Sequence, residues 1–151
     1  LDAIRVDFAA GAVEQMVLDS GENHDILWIE GQGSLLHPGS TATLPLIRGS
    51  QSTALILVHR FGQVHIKDLP DILIPPLAEV IKLYEMVATA GGTFAPVKIK
   101  GISLNTYHLN EAAAINAIAK IQEETGLPCT DVVRFGGDIL LDAALETKVQ
   151  V

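Results

Sequence analysis

Short apolar runs alternate along this chain with segments whose apolar residues recur at helical spacing. That alternation limits the fold more than any other feature. Ile26–Ile29 and Ala54–Val58 are compact apolar runs with β-branched residues, bounded by polar or turn-forming positions. Their length and flanks suit strands buried on both faces. Between them and around them, Ala9, Ala12, Val13, Met16 and Val17 predict a helix over 8–20, stopped by Gly21 and Asn23.

The same reading extends over the rest of the chain. Residues 2–7 read as a short strand ending at Asp7. Residues 31–43, with three glycines, a proline and several hydroxyl side chains, read as a loop, and 44–49 as a short helix. Residues 60–75 read as irregular. Pro76 fits the first turn of a helix whose face is Leu77, Val80, Ile81, Tyr84 and Val87, ended by Gly91-Gly92. Val97–Leu104 reads as a strand. Asn110 caps a helix to about Thr125, and Gly126 then Pro128 end it. A short strand at Thr130–Val133 and a helix at Ile139–Leu145 complete the pattern. The order β-α-β-(α)-β-α-β-α-β-α predicts an α/β fold: three layers, α-β-α, around a mostly parallel sheet.

Composition narrows the function. The chain has 151 residues, enough for one domain in which roughly 70% of the unfolded surface is buried. Eighteen acidic residues against ten basic ones leave a net charge of −8, which argues against a nucleic-acid backbone as partner. No apolar run approaches the ~20 residues of a membrane span, and no basic start precedes an apolar core, so neither a membrane nor a secretory leader is expected. Cys129 is the single cysteine, which excludes an internal disulfide and a cysteine metal cluster. A cytoplasmic protein with a small-molecule substrate is expected, and a homo-oligomer.

In parallel sheets ligands sit beyond the carboxyl ends of strands. The residues there are Asp7, Glu30 to Gly33, His59-Arg60 and Asn105-Thr106. Glu30 would be a hard oxygen donor held at a strand end, and Gly31 and Gly33 would let the backbone approach a phosphate. The plain alternative is a strand-to-loop turn with Glu30 solvated. Asp7 could share a magnesium ion with Glu30, or simply cap the helix that follows. Asn105, with donor and acceptor on one amide, could read a base edge beside Thr106, or only make a turn. His37 and His59 lie in predicted carboxyl-end loops and are candidates for general acid/base work; as scattered histidines they are equally plain hydrogen-bonding residues. Ser34, Ser40, Thr41 and Thr43 are candidate phosphate or substrate donors. Gly31-Gln32-Gly33 lacks the third glycine of a dinucleotide fingerprint.

Several stretches in this order resemble a known family. They are DFAAGAVEQMV from Asp7, WIEGQGSLLHPGS from Trp28, Arg48-Gly49-Ser50-Gln51, ALILVHR from Ala54, PPLAEVIKLYE from Pro75, GISLNT from Gly101 and EETGLPCTDVVRFG from Glu123. The family is one of poorly characterised P-loop proteins labelled NAD-dependent epimerase/dehydratase or D-glutamate N-acetyltransferase-like. The resemblance implies a P-loop NTPase-like domain similar to dethiobiotin synthetase, with a Rossmann-like domain and the phosphate loop expected upstream of Leu1. It also implies ATP and Mg2+ as cofactors, Glu30 as a magnesium-binding acid, Asp7 as its partner and Asn105 as the residue facing the base. Two departures stand out. No glycine-rich run ending in Lys-Thr occurs here, and Gly39-Ser40-Thr41 replaces a longer aromatic-containing run. The alternative function is a non-catalytic nucleotide-binding or oligomerisation domain.

Overall fold

The structure, a computed structural model, describes residues 4–146. They form two compact units: one runs up to Ser52 and includes Met86–Ala95, the other comprises Thr53–Glu85 and the chain from Pro96 onward.

The second unit carries the sheet. Strands β1 (Leu55–Arg60), β4 (Ile99–Asn105) and β5 (Cys129–Thr130) run parallel in the order β1-β4-β5. The central strand β4 is the apolar core, with Ile99, Ile102 and Leu104 all buried. Gly101 lets helix α6 (Asp138–Leu145) approach β4 closely, because a Cβ there would stand 2.6 Å from Leu140 Cδ2. Helix α4 (Glu111–Thr125) precedes β5 and buries Ala114, Ala117 and Ile121. The Asn110 side chain accepts from the Ala113 amide at 2.9 Å, and Gly126 takes the left-handed conformation at the other end. Helix α3 (Leu77–Ala88) reaches the sheet through Glu85, whose Oε1 accepts from the Ile99 amide at 3.0 Å while Oε2 pairs with Lys98 at 2.6 Å. The expected α/β class, a parallel sheet flanked by helices, therefore holds.

Residues 60–75 are more ordered than their composition suggests. They contain a two-stranded antiparallel sheet, β2 (His65–Ile66) with β3 (Leu69–Leu73), turned by Asp68 at φ +64°. Pro70 is tolerated because both strands of such a pair are edges. The predicted strand over Thr130–Val133 ends early, at Thr130. Asp131 accepts from the amides of Val133 and Arg134 and so starts a short helix α5 (Val132–Phe135).

The first unit has no strand among its described residues. Helix α1 (Val6–Gly21) packs on α2 (Thr43–Ser50), and Gly49 makes the contact: a Cβ there would lie 2.3 Å from the Ala10 carbonyl oxygen. The predicted strand over 2–7 falls partly outside the described residues. From Arg5 onward it is corrected, because Arg5 is the extended N-cap residue and Asp7 lies in the first helical turn, where a carboxylate is favoured by the helix dipole. The predicted strand Ile26–Ile29 is also corrected. It pairs with no other segment among the described residues, and Ile26, Trp28 and Ile29 are exposed. An apolar run can request burial, but a strand exists only when another backbone completes its hydrogen bonds.

Candidate functional site

The carboxyl edge of the parallel sheet carries a connected set of polar side chains. Arg60 ends β1 and Asn105 ends β4, opposite each other across the pair. The ladder continues past them, since the Phe61 amide donates to the Asn105 carbonyl at 3.1 Å. The Arg60 guanidinium lies 4.9 Å above the Tyr107 ring and donates to the Tyr107 hydroxyl at 3.1 Å. The Asn105 side-chain oxygen accepts from the Tyr107 amide at 3.1 Å. His108 meets Tyr107 edge-on, with ring centres 5.5 Å apart. Arg60, Asn105 and Tyr107 are all exposed.

Beneath that surface lies a buried anchor. Thr106 is fully buried, and both its amide and its hydroxyl donate to Asp131 Oδ2. Burial works to raise the Asp131 carboxyl, but the hydrogen bonds from Thr106 and from the amides of Val133 and Arg134 outweigh it and hold its pKa below the ordinary value. Arg134 donates to the carbonyls of Thr106, Tyr107 and Leu109 at 3.3, 3.4 and 2.7 Å. Asp131 and Arg134 thus fix the segment from Thr106 to Leu109 that displays Tyr107. Sequence reasoning did not single them out, although an aspartate directly after a strand and before two valines is an N-cap signal.

His59, one residue before Arg60, is half-buried. Burial lowers its pKa, with the Glu124 carboxylate working the other way, so the ring is neutral at pH 7. Cys129 is buried, which pushes its thiol up to about 11 and leaves it un-ionised at neutral pH.

The other candidates belong to the first unit. Glu30 and Gly31 lie exposed in an extended segment, and nothing stands within 4 Å of a Cβ built on Gly31. Gly33, at φ +78°, is packed against its own loop: a Cβ there would lie 2.1 Å from Ser40 Oγ and 2.9 Å from Thr43 Oγ1. The Ser40 and Thr43 hydroxyls bond each other at 2.7 Å, Thr43 donates to the Gln32 carbonyl at 2.8 Å, and Ser40 accepts from the Ser34 amide at 3.2 Å. These hydroxyls close the loop on itself. His37 Nδ1 accepts from the Gly39 amide at 3.0 Å, so the neutral ring carries its proton on Nε2 and acts there as a donor. Asp7 is exposed in the first turn of α1. Among the described residues no group of three or more His, Cys, Asp or Glu side chains is placed to hold a metal ion. No helix among them is long and apolar enough to cross a membrane.

A parallel three-stranded sheet flanked by helices places this unit in the α/β class. The chain belongs to the DUF1611 family: the model of its C-terminal P-loop domain, a domain of unknown function, matches residues 1–141. The chain is similar to a crystal structure of a DUF1611 family protein from Anabaena variabilis ATCC 29413, at 69% identity and a TM-score of 0.94, over 96% of this chain and 42% of that one. It is 40% identical over 144 residues to a protein named D-glutamate N-acetyltransferase from Tritonibacter scottomollicae. It is 34% identical over 143 residues to one of the same name from Pseudoalteromonas sp. The matches cover 95% and 93% of this chain but 42% of each relative.

Proposed function

We propose that this chain is the nucleotide-binding, magnesium-dependent part of a small-molecule group-transfer enzyme whose whole-protein reaction is N-acetylation of D-glutamate. The observation that carries the reading is the shared name of two relatives that match nearly the whole chain. The exposed donors at the carboxyl edge, Arg60 and Asn105, support it, because that is where parallel sheets take ligands.

Asp7 and Glu30 are the side chains that would hold magnesium. Both are exposed carboxylates of the same unit, and neither has an ion-pair partner among the described residues. Magnesium needs only one or two carboxylates when waters and phosphate oxygens complete its shell. When bound, the ion would supply positive charge to those phosphate oxygens. Acetyl transfer from acetyl-CoA would form an amide C–N bond at the substrate amine, break the acyl C–S bond and release the thiolate of CoA, which takes the amine proton directly or by way of a base. A neutral, half-buried His59 suits taking up that proton, whereas His37 suits donating a hydrogen bond through Nε2.

The test is a calorimetric titration of the intact protein with ATP–magnesium, acetyl-CoA and NAD, paired with an acetylation assay on D-glutamate. Magnesium-dependent ATP binding that weakens in Glu30→Gln, together with turnover, supports the reading. Binding of acetyl-CoA without ATP would replace the nucleotide part of it. A second reading, an oligomerisation unit without catalysis, draws on the exposed Ile26, Trp28 and Ile29. Self-association without ligand binding would favour it.

A further inference from the structure

We propose that Arg60 and Asn105 form an oxyanion-binding pair for a ligand carboxylate or phosphate at the carboxyl edge of the sheet. The inference rests on the reading of that edge as the ligand site and adds the chemical class it takes.

Asn105 cannot be read as a free amide. Its oxygen accepts from the Tyr107 amide, which turns the NH2 group outward as the available end. Arg60 stands opposite it, across one parallel pair. Its guanidinium is held on the Tyr107 ring and hydroxyl, so its position is set before any ligand arrives. Tyr107 is the hydrogen-bond partner of that guanidinium, and no carboxylate among the described residues pairs with it. This holds in a chain with eight more acidic than basic side chains. The neighbouring Arg134 differs, because its guanidinium is occupied by three carbonyls and by Asp131 at 3.7 Å. Asp131, beneath this surface, is buried and committed to Thr106 and the α5 amides. What faces solvent is therefore the Arg60 guanidinium and the Asn105 amide, with no carboxylate paired to either among the described residues. A planar guanidinium beside an amide NH2 matches the two oxygens of a carboxylate or of a phosphate.

The two sources are separable. Wild type, Arg60→Gln and Arg60→Lys are each titrated with D-glutamate and, separately, with ATP–magnesium, using the intact protein. Thermal melting serves as a fold check, since Arg60 is exposed. Arg60→Gln is expected to weaken one of the two ligands at least tenfold, and Arg60→Lys to weaken it less, because lysine keeps the charge but loses the fork. Loss confined to D-glutamate assigns a carboxylate; loss confined to ATP assigns a phosphate. If wild type binds and both variants bind within twofold of it, Arg60 is only a strap onto Tyr107 and the proposal falls. If wild type binds neither ligand, the functional reading falls and takes this inference with it.

Discussion

Ile26–Ile29 and Leu55–Val58 carry the same sequence signal and meet different fates. The second run is a strand, because β4 lies beside it and exchanges backbone hydrogen bonds along its length. The first is an extended segment with three exposed apolar side chains and no paired backbone among the described residues. Hydrophobicity and length are properties of a segment, but strand formation is a property of a pair. The unit built around β4 therefore has a sheet core. The unit built on α1 and α2 is held by helix packing and a hydroxyl-wired loop.

That contrast ranks the effects of substitution. The largest is expected at Ile102, which is 0% exposed in the central strand. Ile102→Ala should lower unfolding free energy by about 4 kcal/mol, through lost transfer energy and a cavity. Chemical denaturation measures it, and a loss under about 1 kcal/mol would mean that β4 is not the core.

Asp131→Ala should follow, at roughly 3 kcal/mol, because it removes the cap of α5 and leaves Thr106 without its acceptor. Asp131 also fixes the sign of the acid response. Its folded pKa lies below the ordinary 3.8, so its stabilisation is full above that value and is lost as pH falls through the folded pKa. His59 adds a separate window. Its folded pKa lies below 6.5, so the unfolded state binds its proton first and stability declines as pH drops below 6.5. Denaturation midpoints between pH 7 and 3 should fall in both windows, and Asp131→Asn should flatten only the lower one.

Gly49→Ala probes the helix packing of the other unit. The new Cβ meets backbone, the Ala10 carbonyl, where nothing flexible can yield. We expect a loss of about 2 kcal/mol. The matching change in the sheet unit, Gly101→Ala, should be milder, because the Leu140 side-chain end can rotate away and the backbone contact that remains, the Pro128 carbonyl oxygen at 3.1 Å, is looser than the 2.3 Å at Gly49. Equal losses at both positions would show that α1 and α2 separate easily.

How much of this was legible in the residues follows the same line. Helix α4 was readable end to end, because Asn110 and Gly126 act locally. The β1–β4 pair was readable as two parallel strands, but the expected burial of β1 on both faces is corrected, because Val58 is 74% exposed and only Leu57 of that strand is buried. The β2–β3 hairpin was hidden, because Asp68 and Pro70 read as breakers when they are a positive-φ turn and an edge position. At the candidate site, Arg60 and Asn105 could be placed at strand ends by position alone. The anchor beneath them could not, since Arg134 reaches carbonyls far away in sequence and the Thr106–Asp131 contact exists only in the folded chain. Gly33 was read as making room for a ligand, whereas in the fold it makes room for Ser40 and Thr43.

The smallest expected effect is the most informative about Ile26–Ile29. Trp28 is 64% exposed, so Trp28→Ala should change the stability of this chain by about 0.5 kcal/mol or less, against the 3–5 kcal/mol typical of a buried tryptophan. The measurement should be made at two protein concentrations differing about a hundredfold. A small effect at both leaves the segment unpartnered and confirms the contrast with Leu55–Val58. A loss that grows with concentration would mean that a second copy covers Trp28, because association stabilises the folded state by mass action. A large loss at both concentrations would require Trp28 to be packed within the chain itself. The same apolar run would then be a core element in both units, and pairing would no longer explain their difference.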